Sequence, residues 1–316
     1  MLIATMFDYD FMRTAFGAGT VAAIVAGSVG YFLVMRNLVF AGHALSHVGF
    51  AGATGAVLIG VSPFWGLLAL TISAGIAMGL LGEELRGRDI AVGVVLSLSL
   101  GLGILFLHLY TSYATQATSL LFGNVLGVSR DALWYLVGLA VVTLVALSII
   151  SRPLLFATLD PELAEAKGVS LRLVSVLFLV IVAVAVAEAV QVVGILLVFA
   201  LMVGPAAAAF RITAQLRLGM ALSVVLAVTE TWLGIALAYV TDWPPSFWIT
   251  LLSSVIYGLT LCRPLIRGTA RTSPFSLWRP AGSRTGTPAT SSRSSTPPNG
   301  KGPVGGRGLP ISAAGD

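Results

Sequence analysis

The most prominent pattern in the chain is a series of nine apolar stretches that alternate with short polar segments. They fall near residues 13–35, 38–60, 63–82, 90–110, 132–151, 171–189, 192–210, 218–240 and 244–262. A helix of roughly 20 apolar residues crosses a hydrocarbon layer about 30 Å thick. The stretches are continuously apolar rather than alternating, so they predict helices and not the strands of a barrel. The pattern predicts an all-α, polytopic transmembrane bundle of about nine spans, or eight if the second stretch is re-entrant.

The composition agrees with a chain whose main solvent is lipid. Hydrophobic residues make up 57% of the 316 residues and charged residues only 10%, with a mean hydropathy of +0.96. A soluble domain carries about 25% charged residues, because its surface has to be solvated by water. Too little polar surface is left here to cover a globule in water. The lipid bilayer is therefore the expected partner of most of the surface.

Basic residues recur in every second connecting segment and predict an orientation. These segments contain Arg36; Arg86 and Arg88; Arg152, Lys167 and Arg172; Arg211 and Arg217; and Arg263 and Arg267. Short loops rich in Lys and Arg stay on the cytoplasmic side of a membrane. The intervening loops carry almost none, Arg130 being the exception. The N-terminus is therefore predicted outside and the C-terminus in the cytoplasm.

The formal net charge of +5 resides in a separate C-terminal segment. Residues 268–316 carry six basic residues and one acidic residue, so the chain before them is neutral overall. The segment is rich in Ser, Thr, Pro and Gly and has no apolar period, which is typical of disorder. The sequence thus predicts a transmembrane domain, 1–267, and a disordered cytoplasmic tail, 268–316. Because the basic charge is confined to the tail, no nucleic-acid partner is expected.

The second stretch contains the most informative short motif, Gly-His-Ala-Leu-Ser-His at 42–47. Residues four apart lie on one face of a helix, so His43 and His47 are predicted to project together. Two imidazoles at this spacing can bind one metal ion through a nitrogen each. The alternative is a pair of histidines hydrogen-bonded to neighbouring helices. An ionisable group within a span is costly and usually marks a transport path, which favours the metal-binding interpretation.

Four further polar residues invite an explanation. Glu230 falls near the middle of the eighth stretch, where a carboxylate has to face protein or water. It is a candidate third metal ligand, a proton-linked site or a hydrogen-bond partner. His108, at the outer end of the fourth stretch, is either interfacial or a further candidate metal ligand, and Glu188, near the outer end of the sixth, is expected at the interface. Asp242, in an outer loop, either attracts cations at the mouth of a path or caps a turn.

Catalytic chemistry by this chain is not expected. A zinc-protease helix needs Glu directly after its first His as the general base, and here that residue is Ala44. A phosphate-binding loop needs Lys followed by Ser or Thr, whereas Lys167 and Lys301, the two lysines, are each followed by Gly. The single cysteine, Cys262, excludes an internal disulfide and a metal cluster built on cysteines. If ATP drives transport, another polypeptide hydrolyses it.

Four motifs, in order along residues 11–265, resemble the permease subunits of ATP-binding-cassette importers for zinc, manganese and iron. They are 42–47 with Gly52, 160–168, 193–206, and Asp242 with a proline two residues later. The first is similar to the family block of Gly, then Asp or His, then any residue and Leu-Ser-His. The resemblance implies a multi-pass subunit of the bacterial inner membrane that is not itself an enzyme and holds no permanent cofactor.

The resemblance also implies partners. Such a subunit pairs with a second copy of itself, with two cytoplasmic ATPases and with an extracytoplasmic metal-binding protein. The block that matches His43 and His47 lies along the metal path in the family. The segment that matches 160–168 forms the short helix that docks on the ATPase. The residues to which the resemblance assigns docking are Asp160, Glu162, Ala164 and Gly168.

The ion predicted from the motif is zinc. Many manganese and iron members carry Asp where this chain has His43, and imidazole suits zinc better than manganese. Manganese and iron are the alternative ions. The alternative function is a stand-alone secondary transporter or channel in which Glu230 and the histidines relay ions or protons. A permease for a chelated metal or vitamin, and an intramembrane enzyme, are further alternatives.

Overall fold

A computed structural model of the chain describes residues 6–81, 88–109, 121–195 and 197–267. Within these residues, each apolar stretch forms one long helix and no strand is present. The long helices are α1 (Asp10–Met35), α2 (Val39–Leu58), α3 (Pro63–Leu81), α4 (Arg88–Leu109), α5 (Arg130–Leu159), α7 (Leu171–Val193), α8 (Val198–Ile212), α9 (Leu216–Thr241) and α10 (Pro245–Arg267). A 3-10 turn at Val125–Gly127 precedes α5, and a short helix, α6 (Pro161–Ala166), follows α5. The predicted tail, 268–316, lies outside the described residues.

Seven of these helices are long and apolar enough to cross a membrane. The two others are α2, which carries two histidines and several glycines, and α8, which has only 15 residues. The all-α membrane bundle predicted from the sequence is therefore confirmed. The total number of spans and the orientation of the termini stay predictions.

α5 is longer than its apolar stretch. The sequence predicts an end near residue 151, but the helix continues through Pro153 to Leu159. A proline removes one backbone hydrogen bond from a helix, and the following turns are held by buried side chains, Leu154 and Ala157. Packing therefore compensates for the local weakness, and α5 leads directly into α6.

The break between the sixth and seventh stretches also differs from the prediction. The sequence places it near residue 190, but α7 continues to Val193 and α8 begins only at Val198. The break falls at Gly194, whose φ of 89° is readily adopted only by glycine. Gly194 packs against Gly123, in the segment that precedes α5, so closely that a Cβ on either residue would overlap the backbone at the other. The segment 111–130, between the fourth and fifth stretches, contains the apolar patch 120–122, which predicts a short interfacial or re-entrant helix; residues 111–120 lie outside the described part.

α1 and α7 form the centre of the bundle, and both are largely buried. Five long helices, α2, α3, α5, α8 and α9, pack against these two, whereas α4 packs on α2 and α3, and α10 packs on α8 and α9. α4 and α5 expose large apolar side chains such as Ile104 and Trp134. A surface of this kind requires an apolar solvent, so the outer helices present their side chains to lipid.

α2 packs on α3 through a contact between two glycines. A Cβ atom at Gly52 would overlap the Gly66 carbonyl, and a Cβ at Gly66 would overlap the Gly52 carbonyl. Small residues let helix backbones approach, and helix association in lipid depends on van der Waals contact of this kind. The glycines that follow the histidine motif therefore fix α2 against its neighbour.

Arg36 is less open than its place in a predicted cytoplasmic loop suggests. Its guanidinium lies over the Phe178 ring, 5.6 Å from the ring centroid, and donates a hydrogen bond to the Ser175 hydroxyl at 3.1 Å. Both partners belong to α7. The arginine therefore ties the end of α1 to the central helix.

Candidate functional site

The two histidines of α2 lie side by side, as their spacing predicts. The ring centroids of His43 and His47 are 4.7 Å apart, with an interplanar angle of 85°. Both side chains are half-buried. Nitrogens that share one metal ion each lie about 2.0–2.1 Å from it, and rings at this separation can reach that geometry by rotating about their side-chain bonds. The pair is suited to hold an ion, and metal binding itself stays a prediction.

Phe199, in the first turn of α8, is the aromatic neighbour of this pair. Its ring centroid lies 5.1 Å from that of His43, with an interplanar angle of 75°. Such edge-to-face contacts orient rings, so Phe199 restricts the motion of His43 on one side. Sequence reasoning missed this residue, because nothing distinguishes it from the other apolar residues of its stretch. The sequence feature that could have pointed to Phe199 was its position within the motif 193–206.

Glu230 of α9 is completely buried in the bundle. Neither of its carboxyl oxygens has a hydrogen-bond partner among the described residues. The adjacent hydroxyl is that of Ser253 on α10, which donates to the Ala200 carbonyl at 3.0 Å. The first turn of α8 thus contacts both the histidine pair and the surroundings of Glu230. Phe199 lies against His43, and the Ala200 carbonyl accepts the hydrogen bond from Ser253.

The candidate ligands do not form one cluster in a single chain. Within the described residues, no three His, Cys, Asp or Glu side chains lie close enough together to hold one ion. Glu230 and His108 are therefore not brought to the histidine pair. His108 lies in the last turn of α4 and its side chain is exposed. The roles of these two residues as metal ligands stay predictions.

The segment predicted to dock on an ATPase forms the short helix α6. Asp160 caps it, because its Oδ1 accepts a hydrogen bond from the Leu163 amide at 3.0 Å, and Pro161 follows at the start of the helix. Gly168, with a φ of 82°, ends the segment, and its amide donates to the Glu165 carbonyl at 2.9 Å. The turn residues thus specify a compact helix between α5 and α7.

The side chains of α6 face two environments. Ala164 is fully buried, so it holds the helix against the bundle. Glu162 and Leu163 are exposed and are available to a partner. Ala164 therefore packs α6 against the bundle, while Glu162 and Leu163 form its exposed surface. The docking role of the helix stays a prediction.

Asp242 ends α9 in the left-handed region, with φ 57° and ψ 19°. Asp is among the few residues that visit this conformation routinely, so the residue ends the helix before α10 begins. Next to it, Trp243 stacks on Trp248 with centroids 5.7 Å apart, and the Trp248 indole donates to the Thr241 hydroxyl at 2.9 Å. That the exposed Asp242 side chain attracts cations stays a prediction.

Glu188 lies inside the helix bundle. Its side chain is fully buried, and the Thr143 hydroxyl of α5 donates a hydrogen bond to its Oε1 at 2.8 Å. α7 does not end at this polar residue but continues to Val193, and the place of Glu188 relative to the membrane interface stays a prediction. Glu188 therefore faces a neighbouring helix rather than water.

Comparisons with known proteins give a consistent result. The profile of the ABC 3 transport family matches residues 8–263. The manganese transport system membrane protein MntC of Halalkalibacterium halodurans is 29% identical over 255 residues, which cover 80% of this chain and 87% of the relative. The manganese import system permease protein ScaB of Streptococcus gordonii is 29% identical over 256 residues, covering 81% and 92%.

A solved structure shares the fold. The chain is similar to one from PsaBC of Streptococcus pneumoniae in complex with Fab, with a TM-score of 0.73 and 25% identity. The similarity covers 88% of this chain and 97% of that one. The match therefore includes nearly the whole helical bundle.

Proposed function

The chain belongs to the ABC 3 transport family, and from this premise we propose that it is the membrane-spanning subunit of an ATP-driven importer of a divalent transition metal ion. The observation that carries the proposal is the pair His43 and His47, side by side on a helix packed inside an apolar bundle. Ionisable side chains in such a place usually mark a transport path. The chain is a multi-pass protein of the bacterial plasma membrane.

The proposed division of labour gives ATP hydrolysis to another polypeptide. The sequence has no phosphate-binding loop with Lys followed by Ser or Thr. An ATPase would bind the exposed side of α6, where Glu162 and Leu163 are available. A second copy of the chain and an extracytoplasmic metal-binding protein complete the proposed assembly, as the family resemblance implies. The proposed orientation places α6 in the cytoplasm, since the basic loops flank it.

Two ions are candidates, and a separate observation favours each. Manganese is favoured by the relatives named as manganese transport proteins. Zinc is favoured by the donor set, because imidazole nitrogens suit zinc better than manganese, which prefers carboxylate and carbonyl oxygens. Both candidates use the same path and the same histidines. Competition between the two ions during uptake distinguishes them.

The test of the function is uptake of radioactive zinc and manganese into proteoliposomes. The vesicles contain this chain with its ATPase and the metal-binding protein. We expect ATP-dependent accumulation that is lost in His43→Ala and His47→Ala while the complex still assembles. Normal uptake in either variant would remove the histidines from the path. Uptake by the chain alone, without ATP, would instead establish the secondary transporter and direct attention to Glu230.

A further inference from the structure

The open side of α2 consists of its two histidines. From Ala41 to Thr54, every residue of this helix is buried except His43 and His47, which are half-buried. Lipid solvates an imidazole poorly, so an opening formed by two of these side chains has to face water or protein. The opening therefore does not belong to the lipid-facing surface of the bundle.

α8 has an open side of its own, and it starts at the histidine pair. From Val198 to Phe210, the half-buried residues recur along one side of the helix and every other residue is buried. These half-buried residues, which we call the α8 stripe, are Phe199, Ala200, Val203, Gly204, Ala207 and Phe210. Phe199 lies against His43, with ring centroids 5.1 Å apart. The open side of α8 therefore continues the open side of α2.

Two helices flank the α8 stripe. Phe199 faces α2, while Gly204 faces α10, because a Cβ on Gly204 would overlap the Ser253 hydroxyl. At about 100° per residue, Val203 lies about 40° and Ala207 about 80° round the helix from Phe199. Gly204 lies further round in the same direction, at about 140°. Val203 and Ala207 therefore form the floor of a groove between α2 and α10.

Ionisable side chains lie at both edges of the first turn of α8. The histidine pair is at one edge, and Glu230 is at the other, next to the Ser253 hydroxyl that donates to the Ala200 carbonyl. Glu230 is fully buried, and neither of its carboxyl oxygens has a hydrogen-bond partner among the described residues. Ionisable groups inside a membrane bundle usually mark a transport path. Both edges therefore point to an ion that moves along this part of α8.

The length of α8 also suits a place beside water. Its 15 residues extend about 22 Å, less than the hydrocarbon layer of about 30 Å. The C-terminal end carries the exposed Arg211, so the N-terminal end, after the break at Gly194, is the one left at membrane depth. Irregular backbone at that depth is tolerated where it is buried in protein or lines a water-filled cavity, and broken helices line the binding sites of transporters.

We propose that the α8 stripe is one wall of a water-filled lane through which the ion leaves the histidine pair, and that Val203 and Ala207 set the width of this lane. The part of the lane in transport rests on the function proposed above. Small apolar side chains offer no ligand, so a released ion meets no second binding site there and passes on. The lane ends at Phe210, roughly 16 Å along α8 from Phe199. The Phe210 ring is held against the buried Tyr31, with centroids 5.9 Å apart.

Cysteine labelling tests the lane without any transport assay. Val203→Cys and Ala207→Cys, each in a Cys262→Ser background, are treated with a positively charged, water-soluble methanethiosulfonate. The full chain is held in lipid nanodiscs, which leave both membrane faces open to the reagent. Thiols react as thiolates, which form in water and not in lipid. We expect both variants to react at least roughly tenfold faster than two controls. These are Ala208→Cys, at a buried position, and Val225→Cys, at an exposed apolar position of α9. Labelling as slow as in the controls, which a stripe covered by lipid or by packed protein would give, would overturn the lane.

The part in transport is tested by filling the lane in protein that has already folded. Before labelling, the complex with Ala207→Cys should take up ions at close to the wild-type rate, because cysteine is only slightly larger than alanine. After labelling, a bulky cation occupies the groove, and we expect uptake to fall roughly tenfold or more. Gln215→Cys, exposed between α8 and α9, is the matched control that reacts with the reagent but leaves uptake unchanged.

The outcomes separate the lane from the function. Uptake that survives complete labelling of Ala207→Cys would overturn the lane. Failure of the wild-type complex to take up zinc or manganese would refute the proposed function instead. The labelling rates of the chain in nanodiscs would still decide whether the α8 stripe faces water.

Discussion

At the scale of single residues, the side chains that an ion in the path would meet are His43 and His47, with Phe199 beside them. The spacing of four residues was enough to predict that the two imidazoles share a helix face, because this follows from helical geometry alone. The contact with Phe199 was not predictable, since it depends on how α8 packs against α2. The same limit applies to the contact of Glu188 with Thr143, which depends on how α7 packs against α5.

The donor at position 43 is predicted to set ion preference. In His43→Asp a carboxylate oxygen replaces an imidazole nitrogen, and hard oxygen donors favour manganese over zinc. We expect the ratio of zinc to manganese uptake to fall on the order of tenfold, a size common for changes at metal sites. The measurement is mutual competition of the two ions in proteoliposomes. Gln215→Asp, which adds an exposed carboxylate between α8 and α9, is the control, and an unaltered ratio in His43→Asp would contradict the prediction.

At the scale of elements, the nine long helices were predictable because an apolar stretch of sufficient length has few other stable forms in lipid. Their ends were less predictable. α5 passes through Pro153 because the following turns are buried, and α7 passes Glu188 because Thr143 pairs with it. Both are tertiary effects that a local pattern does not contain. The α6 cap at Asp160, by contrast, follows from the Asp-Pro sequence.

The exposed apolar residue of α6 is predicted to anchor the ATPase. Leu163→Arg keeps the Asp160 cap, because that cap uses the backbone amide of residue 163. A buried interface anchor contributes about 2 kcal/mol or more, so affinity for the ATPase should fall by roughly 30-fold. Co-purification and titration in detergent measure this affinity for the ATPase. Leu218→Arg, at a similarly exposed leucine in the first turn of α9, is the control. Loss of ATPase binding in Leu218→Arg but not in Leu163→Arg would place the docking site near Leu218 instead of on α6.

At the scale of the whole molecule, the bundle has a buried centre, α1 and α7, and an apolar outer surface. Composition and hydropathy predicted that the surface faces lipid. They did not predict which helices are central, because every stretch is similarly apolar. The distribution of arginines predicts the orientation of the chain in the membrane, and this orientation stays a prediction.

The orientation is tested by labelling introduced cysteines in intact cells. In a Cys262→Ser background, Ser62→Cys lies between α2 and α3 and Gln215→Cys between α8 and α9, both at exposed positions. The positive-inside pattern places the first outside and the second in the cytoplasm. A membrane-impermeant maleimide should therefore label only the first until the membrane is opened. The reverse result would invert the topology and remove α6 from the ATPase side.

Biosynthesis has to deliver α2 and α3 to the bilayer as a pair. α2 is not among the helices apolar enough to span alone, while α3 is, and the Gly52–Gly66 contact lets their backbones pack closely. The histidines and small residues that suit α2 to ion transport also make it less apolar, so its insertion into the bilayer depends on packing against α3. A ribosome-bound nascent chain just long enough to bring α2, but not α3, out of the ribosomal exit tunnel should leave α2 in the aqueous channel of the translocon. A longer chain that brings α3 out as well should release both helices into lipid together, as cross-linking to phospholipid would report.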